Sequence, residues 1–170
     1  MRALFLLTLL FLGVTCAKGE TLSGTVTGVA DGDTLYLTDK QSGIHKIRLL
    51  GIDAPELGQA WGNASRLSLR KLVYRQPVQI EWRHRDQYGR LLGKIVLPGN
   101  RDANLLQLEA GMAWWNRKYA YEQTNADAIR YREAEFVARK KRLGLWSQKS
   151  PVTPWHWRYA NPREVDKVKP

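Results

Sequence analysis

Residues 21–38, "TLSGTVTGVADGDTLYLT", decide how the first part of this chain folds. Apolar and polar residues alternate on both sides of Asp31-Gly32, as they do in strands with one buried face. An Asp-Gly pair between two alternating runs is a strong signal for a tight hairpin turn. The stretch therefore predicts two antiparallel strands that meet at Asp31-Gly32, with Asp33 directly after the turn.

Three further strands follow this hairpin along the chain. Apolar or alternating runs predict them at "IHKIRLL" (44–50), "PVQIEWRHR" (77–85) and "RLLGKIVL" (90–97). The last two are joined by "DQYGR" (86–90), which has the composition of a turn. Five short strands of this kind, with helices between and after them, are typical of a small closed barrel of the oligonucleotide-binding (OB) kind.

Helical segments are predicted between and after these strands. Residues 59–74 form one and end before Pro77, and residues 102–110 form another, with Asp102 able to cap its start and Gly111 its end. In a third, over residues 122–143, four apolar residues fall near one face: Ala126, Ile129, Phe136 and Val137. The sequence therefore predicts an α+β fold, a five-stranded OB-fold β-barrel with about three α-helices.

The first residues, "MRALFLLTLLFLGVTCA" (1–17), have the pattern of a secretory signal peptide that is cleaved after Ala17. One early arginine precedes an apolar run that is too short to span a bilayer comfortably, and nothing later in the chain resembles a membrane span. A lipoprotein anchor on Cys16 is the alternative, although Gly13-Val14-Thr15 makes a poor leader for it. The protein is expected to be secreted or periplasmic.

Removal of residues 1–17 takes away one arginine and the only cysteine, which leaves 26 basic and 16 acidic residues and a net charge of +10. We expect one domain over residues 18–147 and a tail over 148–170, whose prolines and lack of period predict no regular structure. Trp155 and Trp157 are expected to dock this tail onto the barrel. The positive charge favours a polyanion as partner, such as nucleic acid, an anionic membrane face or a cell-wall polymer, unless it serves solubility alone.

The stretch "RLLGIDAPE" (48–56) combines a buried strand with three charged residues, Arg48, Asp53 and Glu56. Charges are costly to bury unless they have partners or bind an ion. One interpretation is a strand that ends in an ordinary polar turn, with the acids in solvent. The other is a site in which Asp33, after the hairpin turn, and Asp53 bring carboxylates from neighbouring strands to one hard cation.

Oxygen ligands of this kind favour calcium, and the three scattered histidines offer no zinc spacing. Five segments, in this order and spacing, resemble the staphylococcal nuclease (thermonuclease) family over about residues 22–147: "VADGDTLYL" (29–37), "RLLGIDAPE", "DQYGR", "GMAW" (111–114) and "LGLW" (143–146). The resemblance implies a calcium-dependent endonuclease that cleaves DNA and RNA and leaves products ending in 3′-phosphate. No stable protein partner is implied, and a monomer is expected.

The resemblance also implies roles for single residues. Asp33 and Asp53, with the main-chain carbonyl of Ala54, would be the calcium ligands, and Glu56 would be the general base. Arg48 and Arg90 match the two arginines of the family's phosphate clamp, for which the planar fork of arginine is suited.

Two tyrosines are expected to contact substrate. Tyr88 matches a residue that binds the terminal phosphate, although Gln87 stands where the staphylococcal enzyme has a lysine. A second tyrosine should follow "GMAW"; strict counting places Arg117 there, whereas Tyr119 lies two residues further on. The alternative function is a non-catalytic nucleic-acid-binding OB-fold module. Loss of catalysis should leave gaps among the acids and arginines, so their presence favours the enzyme.

Overall fold

The computed structural model describes residues 19–162. The predicted signal peptide, the alternative anchor Cys16 and the last eight residues of the tail lie outside this range. The strands and α-helices follow one another along the chain as β1 (Glu20–Val29), β2 (Thr34–Asp39), β3 (Ile44–Leu49), β4 (Ile52–Asp53), α1 (Gly62–Val73), β5 (Pro77–Arg85), β6 (Leu91–Leu97), β7 (Arg101–Asp102), α2 (Ala103–Glu109), β8 (Trp114–Trp115), α3 (Asn125–Lys140) and α4 (Pro154–Ala160). Two 3₁₀ helices, Arg117–Glu122 and Gly144–Ser147, flank α3.

The five long strands close into a barrel. Antiparallel pairs join β3 to β2, β2 to β1, β1 to β5 and β5 to β6, and a parallel pair between β3 and β6 closes the ring. In that pair Arg48 lies opposite Leu92, and in the β2–β3 pair it lies opposite Thr34. The prediction of an OB-fold barrel in an α+β chain is thus confirmed, and its closure brings the end of β3 beside the starts of β2 and β6.

Alternation along the strands sends one face of each into the barrel, where apolar side chains form a closed core. Its fully buried members include Val26, Leu35, Ile47, Leu49, Ile80, Leu91 and Ile95 from the strands. Helices α1 and α2 close the core with Leu69, Val73 and Leu108. Asp102 caps α2 as predicted, because its side chain accepts hydrogen bonds from the main-chain nitrogens of Asn104 and Leu105.

Helix α3 buries a different face from the one that its apolar residues predict. The predicted stripe of Ala126, Ile129, Phe136 and Val137 is exposed, and Phe136 has 65% of its surface accessible. The residues that α3 buries are Tyr131, Ala134, Glu135 and Ala138. The apolar stripe is therefore not the buried face, and the face that is buried has polar partners. Tyr131 donates a hydrogen bond to Asp102 (2.8 Å), and Glu135 accepts one from the main-chain nitrogen of Trp115 (3.2 Å).

The segment after Trp146 contains helix α4, so the prediction of a tail without regular structure is wrong over residues 154–160. Thr153 caps the helix, and Pro154 occupies its first turn and is buried. Trp157 is half-buried beside Gly58, whereas Trp155 remains 42% exposed. Among the helices of residues 19–162, none has the length and apolar character needed to cross a membrane.

Candidate active site

A cleft of about 690 Å³ opens where β3, β4, the 86–90 turn and α4 converge. All eight residues that the sequence singled out line it: Asp33, Arg48, Asp53, Ala54, Glu56, Tyr88, Arg90 and Tyr119. Their convergence is a finding of the structure, whereas the role of each one stays a prediction.

The hairpin turn fixes Asp33 by close packing. A Cβ atom on Gly32 would overlap the side chains of Ser65 and Ala54, so only glycine fits there. The amide of the buried Gln107 donates a hydrogen bond to the Gly32 carbonyl (2.8 Å), and Asp31 accepts one from the main-chain nitrogen of Asp33 (3.0 Å). The turn therefore holds Asp33 against the barrel.

Arg48 links the two aspartates at the floor of the cleft. Its Nη1 lies 2.5 Å from Asp33 Oδ1, and its Nη2 lies 3.0 Å from Asp53 Oδ1. The second oxygen of Asp33 accepts a hydrogen bond from the Ala54 main-chain nitrogen (2.5 Å). Asp53 is only 2% exposed, and β4 holds it in place by pairing with Trp114 of β8.

The floor of the cleft carries more acidic than basic groups. Burial raises the pKa of Asp33 well above its ordinary value, Arg48 opposes this shift, and repulsion from Asp31 and Asp53 adds to it. For Arg48 burial acts to lower the pKa, but the aspartates outweigh it and the net pKa is raised.

The oxygen atoms of Asp33 and Asp53 are suitable ligands for a hard cation, but the protein offers few of them. Carboxylate oxygens at Asp33 and Asp53 are ligands that calcium prefers. Within residues 19–162, however, no group of three or more His, Cys, Asp or Glu side chains is placed to hold a metal ion. A cation here would depend on two carboxylates, main-chain oxygen, and water or substrate.

Glu56 sits on a rigid loop with its side chain open to the cleft. Its carbonyl accepts a hydrogen bond from the Gln59 main-chain nitrogen (2.8 Å), and its own main-chain nitrogen donates one to the Gln59 side chain (3.2 Å). A Cβ atom on Gly62 would overlap the Glu56 carbonyl, so α1 packs tightly against this loop. The Glu56 side chain remains 36% exposed.

Arg90 is oriented by Asp86, a residue that the sequence analysis did not select. Asp86 Oδ2 accepts from both Nε and Nη2 of Arg90, each at 2.7 Å. Asp86 Oδ1 accepts from the main-chain nitrogens of Tyr88 (2.9 Å) and Arg90 (3.0 Å). Partial burial raises the pKa of Asp86, but these hydrogen bonds outweigh burial and leave its pKa lowered. The sequence could have indicated Asp86, because an aspartate at the first position of a five-residue turn can pair with an arginine at its last position.

The structure separates the two candidates for the second substrate position. Tyr119 lines the cleft and is 38% exposed. Arg117 instead extends toward the buried Glu135, with 3.8 Å between Arg117 Nη2 and Glu135 Oε2.

Arg158 is the second cleft residue that the sequence analysis missed. It lies on α4, and its guanidinium pairs with Asp53 and Glu56. No local pattern indicated it, because the arginine follows its partners by more than a hundred residues and lies in a segment predicted to lack regular structure.

Comparisons with known proteins agree with this geometry. Residues 46–148 match the family described as "Staphylococcal nuclease homologue". A protein of Escherichia coli O157:H7 named "Uncharacterized endonuclease" is 38% identical over 146 residues, covering 86% of this chain and 89% of its own length. The "Micrococcal nuclease" of Shigella flexneri is 40% identical over 146 residues and 81% of each chain. An "Uncharacterized endonuclease" of Haemophilus influenzae is 36% identical over 152 residues, covering 89% of this chain and 82% of its own.

Proposed function

Because the chain belongs to the staphylococcal nuclease family and is a phosphodiester-hydrolysing endonuclease, we propose that it requires calcium, cleaves both DNA and RNA, and leaves products ending in 3′-phosphate. The observation that carries this proposal is the convergence of two buried aspartates, an accessible glutamate and two arginines on one cleft. A binding module that had lost catalysis would be expected to show gaps among these acids and arginines.

In this proposal Asp33, Asp53 and the Ala54 carbonyl would hold calcium, which would supply positive charge to the phosphate that is cleaved. The surplus of carboxylates at the cleft floor supports a divalent cation there. Because the protein provides few ligands, calcium should bind weakly. Dissociation constants on the order of 10⁻⁴ to 10⁻³ M are usual for extracellular calcium modules.

The remaining steps are assigned to side chains of the protein. A water oxygen attacks the phosphorus while a Glu56 oxygen accepts its proton, and the bond from phosphorus to the 5′ oxygen breaks. The 5′ oxygen leaves and takes up a proton from solvent, so the phosphate stays on the 3′ oxygen. Arg48 and Arg90 donate hydrogen bonds to the equatorial oxygens, where charge develops in the transition state.

Two tyrosines at the rim would hold the substrate. Tyr88 is 64% exposed and lies in the same turn as Arg90, which supports contact with the terminal phosphate. Tyr119 is the residue that we propose for the second position. Gln87 lines the cleft beside Tyr88 and, as a neutral amide, leaves that subsite without the positive charge of a lysine.

We further propose that the protein is exported as a monomer after cleavage of residues 1–17, to the periplasm or the exterior. The pattern of that leader supports export, and the net charge of +10 supports attraction of nucleic acid.

A cleavage assay with matched binding measurements tests the proposed function. Residues 18–170 are incubated with single-stranded DNA, duplex DNA and RNA, in calcium and in a calcium chelator. Glu56→Gln keeps the size of the side chain but removes the base, so its turnover should fall by roughly 10²- to 10⁴-fold while oligonucleotide binding persists. End-group analysis of the products should detect 3′-phosphate.

Other results would contradict particular parts of the proposal. Cleavage in the presence of chelator would show that calcium is not required. If Glu56→Gln turned over as fast as the wild-type chain, Glu56 would not be the general base. Tight oligonucleotide binding without cleavage by the wild-type chain would instead favour the non-catalytic binding module.

A further inference from the structure

Helix α4 places a second guanidinium on Asp53, beside that of Arg48, and brings the same guanidinium to Glu56. Arg158 Nη2 lies 2.8 Å from Asp53 Oδ2, and Arg158 Nη1 lies 3.2 Å from Asp53 Oδ1. The same Nη1 lies 2.8 Å from Glu56 Oε1. Arg158 thus donates to Asp53 through both Nη atoms and to Glu56 through Nη1.

The pairing accounts for every oxygen of the two aspartates. Asp33 pairs through one oxygen with Arg48 and through the other with the Ala54 main-chain nitrogen. Asp53 Oδ1 pairs with both arginines, whereas for Asp53 Oδ2 the partner within residues 19–162 is Arg158. A cation that uses Asp53 Oδ2 must therefore replace this guanidinium.

Of the two arginines, Arg158 is the one able to leave. Arg48 lies within β3, is 14% exposed, and also neutralises the buried Asp33. Arg158 is 41% exposed and lies on a short helix at the cleft rim. The loss of Arg48 would leave the buried Asp33 without a cation, which is expensive. When Arg158 leaves, Asp53 keeps its pairing with Arg48, and the Arg158 side chain can turn into solvent or toward a bound phosphate.

Helix α4 has anchors that do not depend on Arg158. Pro154 is buried, and the Gln59 amide donates a hydrogen bond to the Val152 carbonyl just before the helix (2.5 Å). Trp157 packs beside Gly58, on the loop that carries Glu56. The helix can therefore stay docked while the Arg158 side chain moves.

We propose that Arg158 and the divalent cation are alternative partners of Asp53. Without calcium, Arg158 balances the charges of Asp53 and Glu56 and pairs with the Glu56 carboxylate. Because it competes with calcium for Asp53, it weakens calcium binding. When calcium binds, the guanidinium is displaced from Asp53, and Glu56 is released to accept a proton. The inference rests on the proposed calcium requirement.

Calorimetric titration with calcium, without nucleic acid, tests this inference on residues 18–170. Arg158→Gln should bind calcium more tightly than the wild-type chain by roughly 5- to 100-fold, the usual size of coupling between two competing ligands. Arg158→Lys keeps the charge but loses the two-pronged contact, so its affinity should fall between the two. Lys46→Gln is the matched control, because Lys46 lines the same cleft but pairs with none of these acids.

Each outcome bears on the inference. Equal calcium affinity of Arg158→Gln and the wild-type chain, or equal tightening by Lys46→Gln, would overturn it and would leave the proposed nuclease function standing. If neither the wild-type chain nor Arg158→Gln bound calcium, the inference would fall together with the calcium requirement. The separate cleavage assay would then show whether the chain is still a nuclease.

Discussion

At the scale of single residues, the shape of the Arg90 side chain matters for its contacts as well as its charge. Two of its nitrogens, Nε and Nη2, donate to Asp86, so the guanidinium is held at a fixed angle. In the proposed mechanism Nη1, for which residues 19–162 show no partner, would serve a phosphate. A lysine ammonium is a point charge on a flexible stem and cannot satisfy both partners in a fixed geometry. The planar shape of the group is therefore part of its proposed function.

Arg90→Lys should lower turnover by about 10²- to 10³-fold, the usual effect of removing one donor that acts on transition-state charge. Oligonucleotide affinity should change much less, because the charge remains. Single-turnover cleavage and equilibrium binding in calcium measure the two effects separately. Arg85→Lys is the matched control, since Arg85 lies at the same turn and donates to the Gly89 carbonyl (2.8 Å). Equal losses of turnover in both variants would contradict a specific role for Arg90.

At the scale of elements, the 86–90 turn works as one unit organised by a single carboxylate. One oxygen of Asp86 accepts from two main-chain nitrogens of the turn, and the other accepts from the Arg90 side chain. The carboxylate thereby couples the shape of the turn to the position of Arg90.

Asp86→Asn should destabilise the protein at neutral pH and lower turnover. An amide is neutral and has one acceptor oxygen instead of two, so it cannot accept the hydrogen bonds of both the turn and Arg90. The pKa of Asp86 is lowered in the folded protein. Its contribution is therefore fully present above the ordinary value of about 3.9 and is lost as pH falls through the folded pKa. Urea unfolding at neutral pH should separate the variant from the wild-type chain, and the difference should shrink below about pH 4. A difference that stayed constant with pH would show that the carboxylate charge is not responsible.

At the scale of the whole molecule, the chain carries 27 lysine and arginine residues against 16 acids, although its cleft floor is acidic. The excess of positive charge must therefore lie largely outside the reaction centre, where it can attract the backbone of a nucleic acid. Local acids would hold the cation, while the overall charge recruits the polyanion.

Binding of single-stranded DNA by Glu56→Gln in calcium should weaken steeply with salt. Each neutralised phosphate adds about −0.7 to the slope of log affinity against log salt concentration, because bound counterions are released. Three to five phosphate contacts would give a slope of roughly −2 to −4. Affinity measured between roughly 50 and 200 mM salt provides the slope. A slope near zero would mean that the positive charge serves solubility rather than binding.

The sequence by itself determined the five long strands, the Asp31-Gly32 turn and the Asp102 cap. These features depend on neighbours along the chain: alternation records a half-buried strand, and Asp-Gly allows a tight turn. The eight cleft residues were instead selected with the help of the resemblance to a known family. The two aspartates among them lie beside strand ends, so a prediction of neighbouring strands also placed them together.

Only the tertiary structure decided which face of α3 is buried, that residues 154–160 form a helix, and that Arg158 enters the cleft. The spacing of apolar residues on α3 does not reveal the hydrogen bonds that Tyr131 and Glu135 make with other elements. Helix α4 is too short to be stable alone, because isolated helices of such length are marginal in water. It depends on contacts with the loop of residues 56–61, and Arg158 meets Asp53 only because the chain folds back across more than a hundred residues. Local periodicity contains no information about contacts over such distances, since they depend on packing and charge pairing between segments that are far apart in the sequence.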